Sequence, residues 1–406
     1  MTTSFTNYQQ ATITERFQAI IDNIKLLLYK SNEDIFDQID FDDDFIYSEP
    51  MLFAFFNSKD KDVNDLNLIL FGYRIGEENN LIKITSDRYG RIYLPNIGWL
   101  VTESPNTAFS LLGSPKSITL LNGEYKTNFK LDALEYIGDT GIELLKYPIP
   151  LLKQFYYDSK NNPVEVEIDE ISKKHKRNLE QAYYLIKTHS PEHYKIICSV
   201  VQKCVVFNVN SALRNSFATL SAQGISFFNA YQEDYNEVFF VDDIAHQTGH
   251  LIFNVLIYEV EKFINVSPDL VLDSVVLADG SLETRNIYII FHALYTYYAI
   301  FTCLNACLAV GAFSGHKKHE AVGRMSFYIR KCYSDLGLIE RPKEENYTVD
   351  KLFTREGLVI YNEIKNFFIE ITKEWGPQVK NLELSNQTYN FNYSIFLASN
   401  PLDEQS

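Results

Sequence analysis

Cysteine is scarce in this chain of 406 residues. The five present, Cys198, Cys204, Cys303, Cys307 and Cys332, are odd in number and none is spaced as a CxxC pair. A disulfide scaffold and a thiolate zinc knuckle are thereby disfavoured, and a reduced cytoplasmic protein is expected. Basic charge is also short: 37 Lys and Arg stand against 53 Asp and Glu, for a formal net charge of −16. With no long Lys/Arg run, a nucleic-acid backbone is not the expected partner, whereas a basic peptide remains compatible. Met1 to Glu15 hold Thr, Gln and Asn where a secretory signal has a basic segment followed by an apolar one. The chain shows no Walker loop, no GxSxG elbow, no GxGxxG element, no repeat and no low-complexity segment.

What is present is enough apolar sequence, 46% of residues, for sizeable cores in two or three domains. From Asn286 to Gly315 there is no Asp, Glu, Lys or Arg, which passes the rule of about 18 uncharged residues for a membrane span. Tyr288, Tyr295, Tyr297, Tyr298, His292 and Asn305 lie within it, and no second span stands beside it. A buried central helix is therefore expected, and no membrane partner. Ahead of it, Ile13 to Leu28 reads as helix and Asp40 to Asp44 as an acidic patch. From Tyr47 to Leu131 the pattern turns to short β-type runs such as Leu66-Asn67-Leu68-Ile69-Leu70 and Arg91-Ile92-Tyr93-Leu94.

Helical periodicity is expected again from near Leu131 through Ile171 to Val206, with a start at Ser190-Pro191-Glu192. Phe217 to Tyr231 reads as two strands around Gln223-Gly224. A helix from Asp242 or Asp243 ends before Ser267-Pro268, and Asp279-Gly280 is a turn into the apolar helix. Helices over Lys318 to Asp335, closed by Gly337, and over Thr354 to Lys373 complete the pattern. The expectation is an α+β protein: a mixed, β-containing N-terminal region over residues 1–130, suited to peptide recognition, and a mainly helical metal-binding catalytic domain over 131–406.

The stretch that carries chemistry is His246-Gln247-Thr248-Gly249-His250. Residues four apart share one helical face, so both imidazoles can reach one ion. In the zinc-peptidase motif HExxH the second residue is the glutamate that takes a proton from metal-bound water; here Gln247 cannot titrate. Two imidazoles among Ile244, Ala245, Leu251 and Ile252 need partners, and hydrogen-bonded core histidines are the plain alternative to a metal. His292, in the uncharged helix, is the best third ligand, with Asp243, Glu259 and Glu283 as carboxylate options. Three neutral imidazoles do not choose between Zn, Fe, Cu and Ni. Arg285, two turns ahead of His292, has the fork to bind a 2-oxo acid carboxylate, although a surface or ion-paired arginine is the ordinary reading; Arg324 and Arg330 are lesser options. His189 and His193 are separated by a helix start and expected at the surface, His316-Lys317-Lys318-His319-Glu320 reads as a solvated helix start, and Cys303 and Cys307 as small hydrophobes.

From Leu179 to Phe368 the order of these pieces resembles a family. They are Ala182 to Val206 with Ser190-Pro191-Glu192, Ser216-Phe217 followed by Gly224-Ile225-Ser226, His246-xxx-His250, Glu283-Thr284-Arg285 leading to His292-Ala293-Leu294-Tyr295, and Thr354-Arg355-Glu356-Gly357. The family is that of the HExxH-motif proteins encoded beside bacterial peptide natural-product genes, which includes iron- and 2-oxoglutarate-dependent peptide β-hydroxylases. The resemblance implies Fe(II) held by His246, His250 and His292, 2-oxoglutarate near Arg285, and a ribosomally made peptide substrate, a leader-bearing precursor among the candidates. The chain departs from the family at Gln247, where Glu is expected, and at Asn286, where proline is. Gln247 would disable a zinc hydrolase but not an oxygenase that does not use the Glu as a ligand. Two other functions stay open: a zinc metallohydrolase with another base, and a non-enzymatic peptide-binding protein.

Overall fold

The computed structural model describes residues 5–76, 78–276, 282–341, 348–387 and 390–402. The turn expected at Asp279-Gly280 lies outside them. The protein is α+β, with small sheets in its first half and helices later. Helix α1 (Phe5–Ser31) is followed by three short helices, α2 (Asp44–Tyr47), α3 (Pro50–Phe56) and α4 (Val63–Leu70). Acidic side chains start all three: Asp43, Glu49 and Asp62 accept from the backbone N–H of Phe45, Met51 and Asn64, satisfying amides that the first helical turn leaves open. The strand expected over Leu66 to Leu70 is thus a helix. Its buried residues Leu66, Ile69 and Leu70 fall at i, i+3 and i+4, and the Asp62 cap decides between two patterns that five residues cannot separate.

Strands β1 (Glu78–Thr85), β2 (Arg91–Leu94), β3 (Gly98–Val101), β4 (Ala108–Ser114), β5 (Ser117–Asn122), β6 (Tyr125–Thr127), β7 (Lys130–Ala133) and β8 (Glu143–Leu144) come next. Helices α5 (Asp169–His189) and α6 (Pro191–Val200) lead to β9 (Lys203–Phe207), β10 (Phe217–Ala218) and β11 (Ile225–Asn229). The helical stretch expected from Leu131 to Val206 is therefore α-helical only in α5 and α6, with a short 3-10 helix at Pro150–Phe155 before them. Val205 and Val206 belong to β9, all five residues of which are buried between parallel neighbours, and a strand covered on both faces has no alternation to reveal it. After it come α7 (Glu237–Leu256), the hairpin β12 (Val271–Val276) and β13 (Leu282–Asn286), then α8 (Ile287–Ala309), α9 (Gly315–Glu340), α10 (Val349–Leu352), α11 (Arg355–Val379) and α12 (Tyr393–Ser399).

Two compact units emerge, neither contiguous in sequence. One, the sheet unit, comprises residues 15–174 and 201–231; the other, the helical unit, comprises residues 1–14, 175–200 and 232–406. The boundary expected at residue 130 falls at the start of β7, inside the sheet unit. In that unit the antiparallel sheets β1-β4-β5-β6 and β2-β3-β7 contribute Ile82, Ile84, Ile92, Leu100, Phe109 and Leu111 to one core cluster. The third sheet, β10-β11-β9-β8, is mixed. Gly224, at φ 93°, makes the turn into β11 as expected, and its carbonyl accepts from the amides of Gln202 and Lys203.

A charged cluster is enclosed in the sheet unit. Lys203 Nζ lies 2.7 Å from Glu143 Oε2 and 3.2 Å from Glu49 Oε2. Tyr93 Oη is 2.9 Å from both Glu143 oxygens, Tyr73 donates to Glu49 Oε2 at 2.6 Å, and the Met51 amide donates to Glu49 Oε1 at 3.0 Å. All four side chains around the Lys203 ammonium are buried. Burial works against that charge, but the two carboxylates outweigh it and raise the lysine pKa.

In the helical unit, α8 packs against α7, α9 and α11. It is the one described helix long and apolar enough to cross a membrane, and most of it is buried. Asn286 caps it, accepting from the Ile289 amide. The helix α7 begins before the expected Asp242 or Asp243, because Asn236 caps it through the Val238 amide; α9 runs past Gly337 to Glu340; and Thr354 caps α11.

Candidate metal centre

Helix α7 carries His246 and His250 on one face, their ring centroids 5.0 Å apart. From α8, His292 brings its Nε2 to 2.9 Å from the Nδ1 of His250. Those two rings stand 77° apart with centroids separated by 4.6 Å. One nitrogen of the pair donates and the other accepts, which fixes opposite tautomer roles on the two rings. His292 is itself oriented from below: it stacks on Phe253, centroids 4.6 Å apart and planes 21° apart, and meets the edge of Tyr288 at 5.8 Å.

The approach of the two helices depends on Gly249. A Cβ at that position would lie 3.3 Å from both the Ala299 Cβ and the Thr296 Cα on α8. A larger side chain there has to push α8 away from α7, and His292 away from His250. Gly249→Leu is expected to destabilise the helical unit by about 1–3 kcal/mol, the usual cost of overpacking. Thermal melting checks it; an unchanged midpoint would show that the helices are not held at this distance by the glycine.

Burial lowers the pKa of all three imidazoles. His250 falls to about 4. His246 falls well below the ordinary range through burial, then the charges of His250, Lys331 and His292; His292 does so through burial and then His250. Each ring keeps part of its surface accessible. At neutral pH the cluster is uncharged and carries the lone pairs that a transition metal takes.

Two of the three carboxylate options for a third ligand have partners of their own. Asp243 Oδ1 accepts from Gln247 Nε2 at 2.9 Å, Glu259 pairs with Lys262 at 2.7 Å, and the Glu283 side chain lies outside the described residues. Gln247, one residue on from His246, is directed at Asp243. Arg285 binds a carboxylate bidentately, but the carboxylate is the protein's own: Nη1 and Nη2 reach the two oxygens of Asp335 at 2.5 and 2.8 Å, and Tyr297 donates to the same group at 3.2 Å. Arg324 is held between Asp242, at 2.7 Å, and Glu320, at 2.7 and 2.9 Å, all buried. Arg330 is exposed on α9.

Two residues near the cluster escaped the sequence reading. Tyr328 stands edge-on to His246 at 6.0 Å, and the charge of Lys331 acts on the same ring. Both lie on α9 with Asp335, at i, i+3 and i+7. That spacing marks a helix face but not what it faces. His193, expected at the surface, is buried. Pro191 starts a new helix in which it shares a face with Ile196, Ile197 and Val200, and burial lowers its pKa to about 4. His316 is exposed as expected, and both His316 and His319 place Nδ1 3.2 Å from the hydroxyl of Tyr393.

For a metal, the fit divides. Two nitrogens each about 2.1 Å from one ion and about 90° apart are separated by about 3.0 Å, close to the 2.9 Å between His250 and His292. Among the described residues, however, no three His, Cys, Asp or Glu side chains stand arranged around one point. His246 has to turn toward the pair to complete a site. No family model and no curated protein matches this chain.

Proposed function

We propose that this chain is a non-haem iron(II) and 2-oxoglutarate-dependent oxygenase that hydroxylates a side-chain carbon of a ribosomally made peptide, in a reducing cytoplasm. One observation carries the reading: His292 meets His250 at the spacing of two adjacent ligands, beside His246. His246, His250 and His292 would hold the ion. Bound iron, with 2-oxoglutarate and O₂, would supply the oxidising chemistry, 2-oxoglutarate leaving as succinate and CO₂ with one oxygen atom of O₂ in the succinate and the other in the hydroxylated product.

The protein's own part is positioning and exclusion. Phe253 fixes the plane of His292, and burial keeps the three imidazoles unprotonated and ready to coordinate. Lys331, whose charge reaches His246, is the cation we assign to the co-substrate's carboxylate, since Asp335 already fills the fork of Arg285. Gln247 offers no base for hydrolysis, which supports an oxygenase over a zinc peptidase.

A second reading is favoured by the hydrogen bond itself. His250 and His292 satisfy each other, so a non-enzymatic peptide-binding protein with core histidines also accounts for the pair. The deciding experiment is anaerobic loading with Fe(II), addition of 2-oxoglutarate and air, and mass spectrometry of succinate. About one iron per chain and succinate formation that depends on all three histidines are expected. Succinate formation indifferent to the histidines would sink the oxygenase. Peptide cleavage by zinc-loaded, iron-free protein would favour the hydrolase, and protein that retains no divalent metal would leave the binding protein.

A further inference from the structure

A cavity of about 650 Å³ opens in the sheet unit, bounded by α4, by strands β1, β2, β4 and β5, and by residues 148–151. Its volume lies within the range of about 300–1,000 Å³ usual for ligand sites. The walls are largely apolar, with Leu68, Ile69, Ile84 and Phe109 among them. The polar groups on its rim differ in one respect. Arg91 is held by Asp87 and Asp169 at 2.8 and 2.9 Å, and Asp62 is engaged as the cap of α4. Asp65, one turn further along α4, has no hydrogen-bond or ion-pair partner for its carboxylate among the described residues, although it is partly buried. Burial and then the charge of Asp62 raise its pKa, and no lysine or arginine offsets them. Lys83, also on the lining, is exposed and acts on no part of that balance.

A partly buried carboxylate without a cation, set in an apolar cavity, is complementary to a positive group on an apolar body. The strand β1 adds a second constraint. It ends its sheet, paired with β4 alone among the described residues, and its Lys83, Ile84 and Thr85 line the cavity. An edge strand beside a pocket can take the main chain of an extended peptide while the pocket takes its side chains.

We propose that this cavity binds an extended peptide segment in which a lysine or arginine adjoins a bulky apolar residue, the cation meeting Asp65, the apolar group resting near Phe109, and the main chain lying along β1. The site is independent of the histidine cluster, and binding is read without turnover, so neither reading stands or falls with the other.

The test is capture of a synthetic hexapeptide pool, randomised at every position, by the immobilised full chain, with mass spectrometry of what is retained. Peptides holding Lys or Arg beside Leu, Ile or Phe should be enriched about tenfold, the effect of one charge-assisted bond. The enrichment should vanish in Asp65→Asn and turn toward Asp and Glu in Asp65→Lys. Lys83→Glu, at an exposed position, should fold as the parent does and strengthen the basic preference. Basic enrichment that survives in Asp65→Asn would trace to the overall charge of −16 and overturn the site, as would the absence of any enrichment. A captured peptide resynthesised with alternate N-methylated amides should lose binding; undiminished binding would overturn the placement along β1.

Discussion

Replacing His292 with alanine is expected to lower succinate formation at least about 100-fold, because the loss of a ligand exceeds the 10–100-fold typical of losing a group that only orients one. Iron retention after desalting should fall with it. The argument rests on where the ring sits. His292 is shared between two tasks, hydrogen bonding to His250 Nδ1 and stacking on Phe253, so its removal takes away a donor and also frees the His250 ring to rotate. Added imidazole gives the decisive readout. A ligand role predicts that it restores part of the iron binding and turnover of His292→Ala, since the space vacated has the shape of the ring and lies against Phe253. A purely structural role predicts a lowered melting temperature and no rescue of turnover. Full activity in His292→Ala would assign the third position to another group and end this version of the oxygenase reading.

The same cluster gives the metal-free protein a pH dependence whose sign is fixed. In the unfolded chain a histidine titrates near 6.5, while in the fold His250 is lowered to about 4, and His246 and His292 are lowered as well. Between those values the unfolded chain binds more protons than the folded one, so stability is full above about pH 6.5 and is lost as the pH falls toward 4. For His250 alone the loss is at most about 3 kcal/mol at 1.36 kcal/mol per pKa unit, and less because its ring is partly accessible. Urea unfolding of metal-free protein at pH 7.5 and pH 5 checks this. Bound iron, which also requires neutral imidazoles, should move the acid loss to lower pH. Equal stability at the two pH values would mean that the histidines are open to water.

The parts of this structure that were legible in the sequence are those with local causes. The absence of charge from Asn286 to Gly315 marks a buried helix because nothing in it needs water. Ser190-Pro191-Glu192 marks the break between α5 and α6 because proline at the first helical position surrenders no hydrogen bond. The spacing of His246 and His250 places them together because it is nearly one helical turn. What remained hidden depends on residues far apart. Arg285 meets Asp335 across 50 positions, and no local pattern distinguishes an arginine waiting for a co-substrate from one already paired. The strand β9 looked helical because both its faces are covered, and the two units interleave in sequence, so a division of the chain by composition alone cut through the first of them. His193 is inside because of the face its helix turns inward, which the proline before it sets but does not announce.

The charged cluster of the sheet unit was equally invisible, and it supports the largest stability prediction. Lys203→Met removes the ammonium while keeping most of the side-chain volume, which leaves Glu49 and Glu143 buried with only Tyr73, Tyr93 and the Met51 amide as donors among the described residues. Stranding one partner of a buried pair costs about 3–5 kcal/mol; with two carboxylates at 3.2 and 2.7 Å from the lost charge, the upper end is expected. Chemical denaturation followed by a probe in this unit, such as the fluorescence of the buried Trp99, gives the number. The variant should also reverse the ordinary response to acid. Its uncompensated carboxylates would hold protons more tightly when folded than when unfolded, so lowering the pH should restore stability to Lys203→Met. Replacing all three charges together, with Glu49→Gln and Glu143→Gln added, should recover much of the loss, because neutral amides can keep the tyrosine hydrogen bonds without leaving a buried charge. A loss below about 1 kcal/mol in Lys203→Met would show that water reaches the cluster, since only solvation of both carboxylates could make the ammonium dispensable.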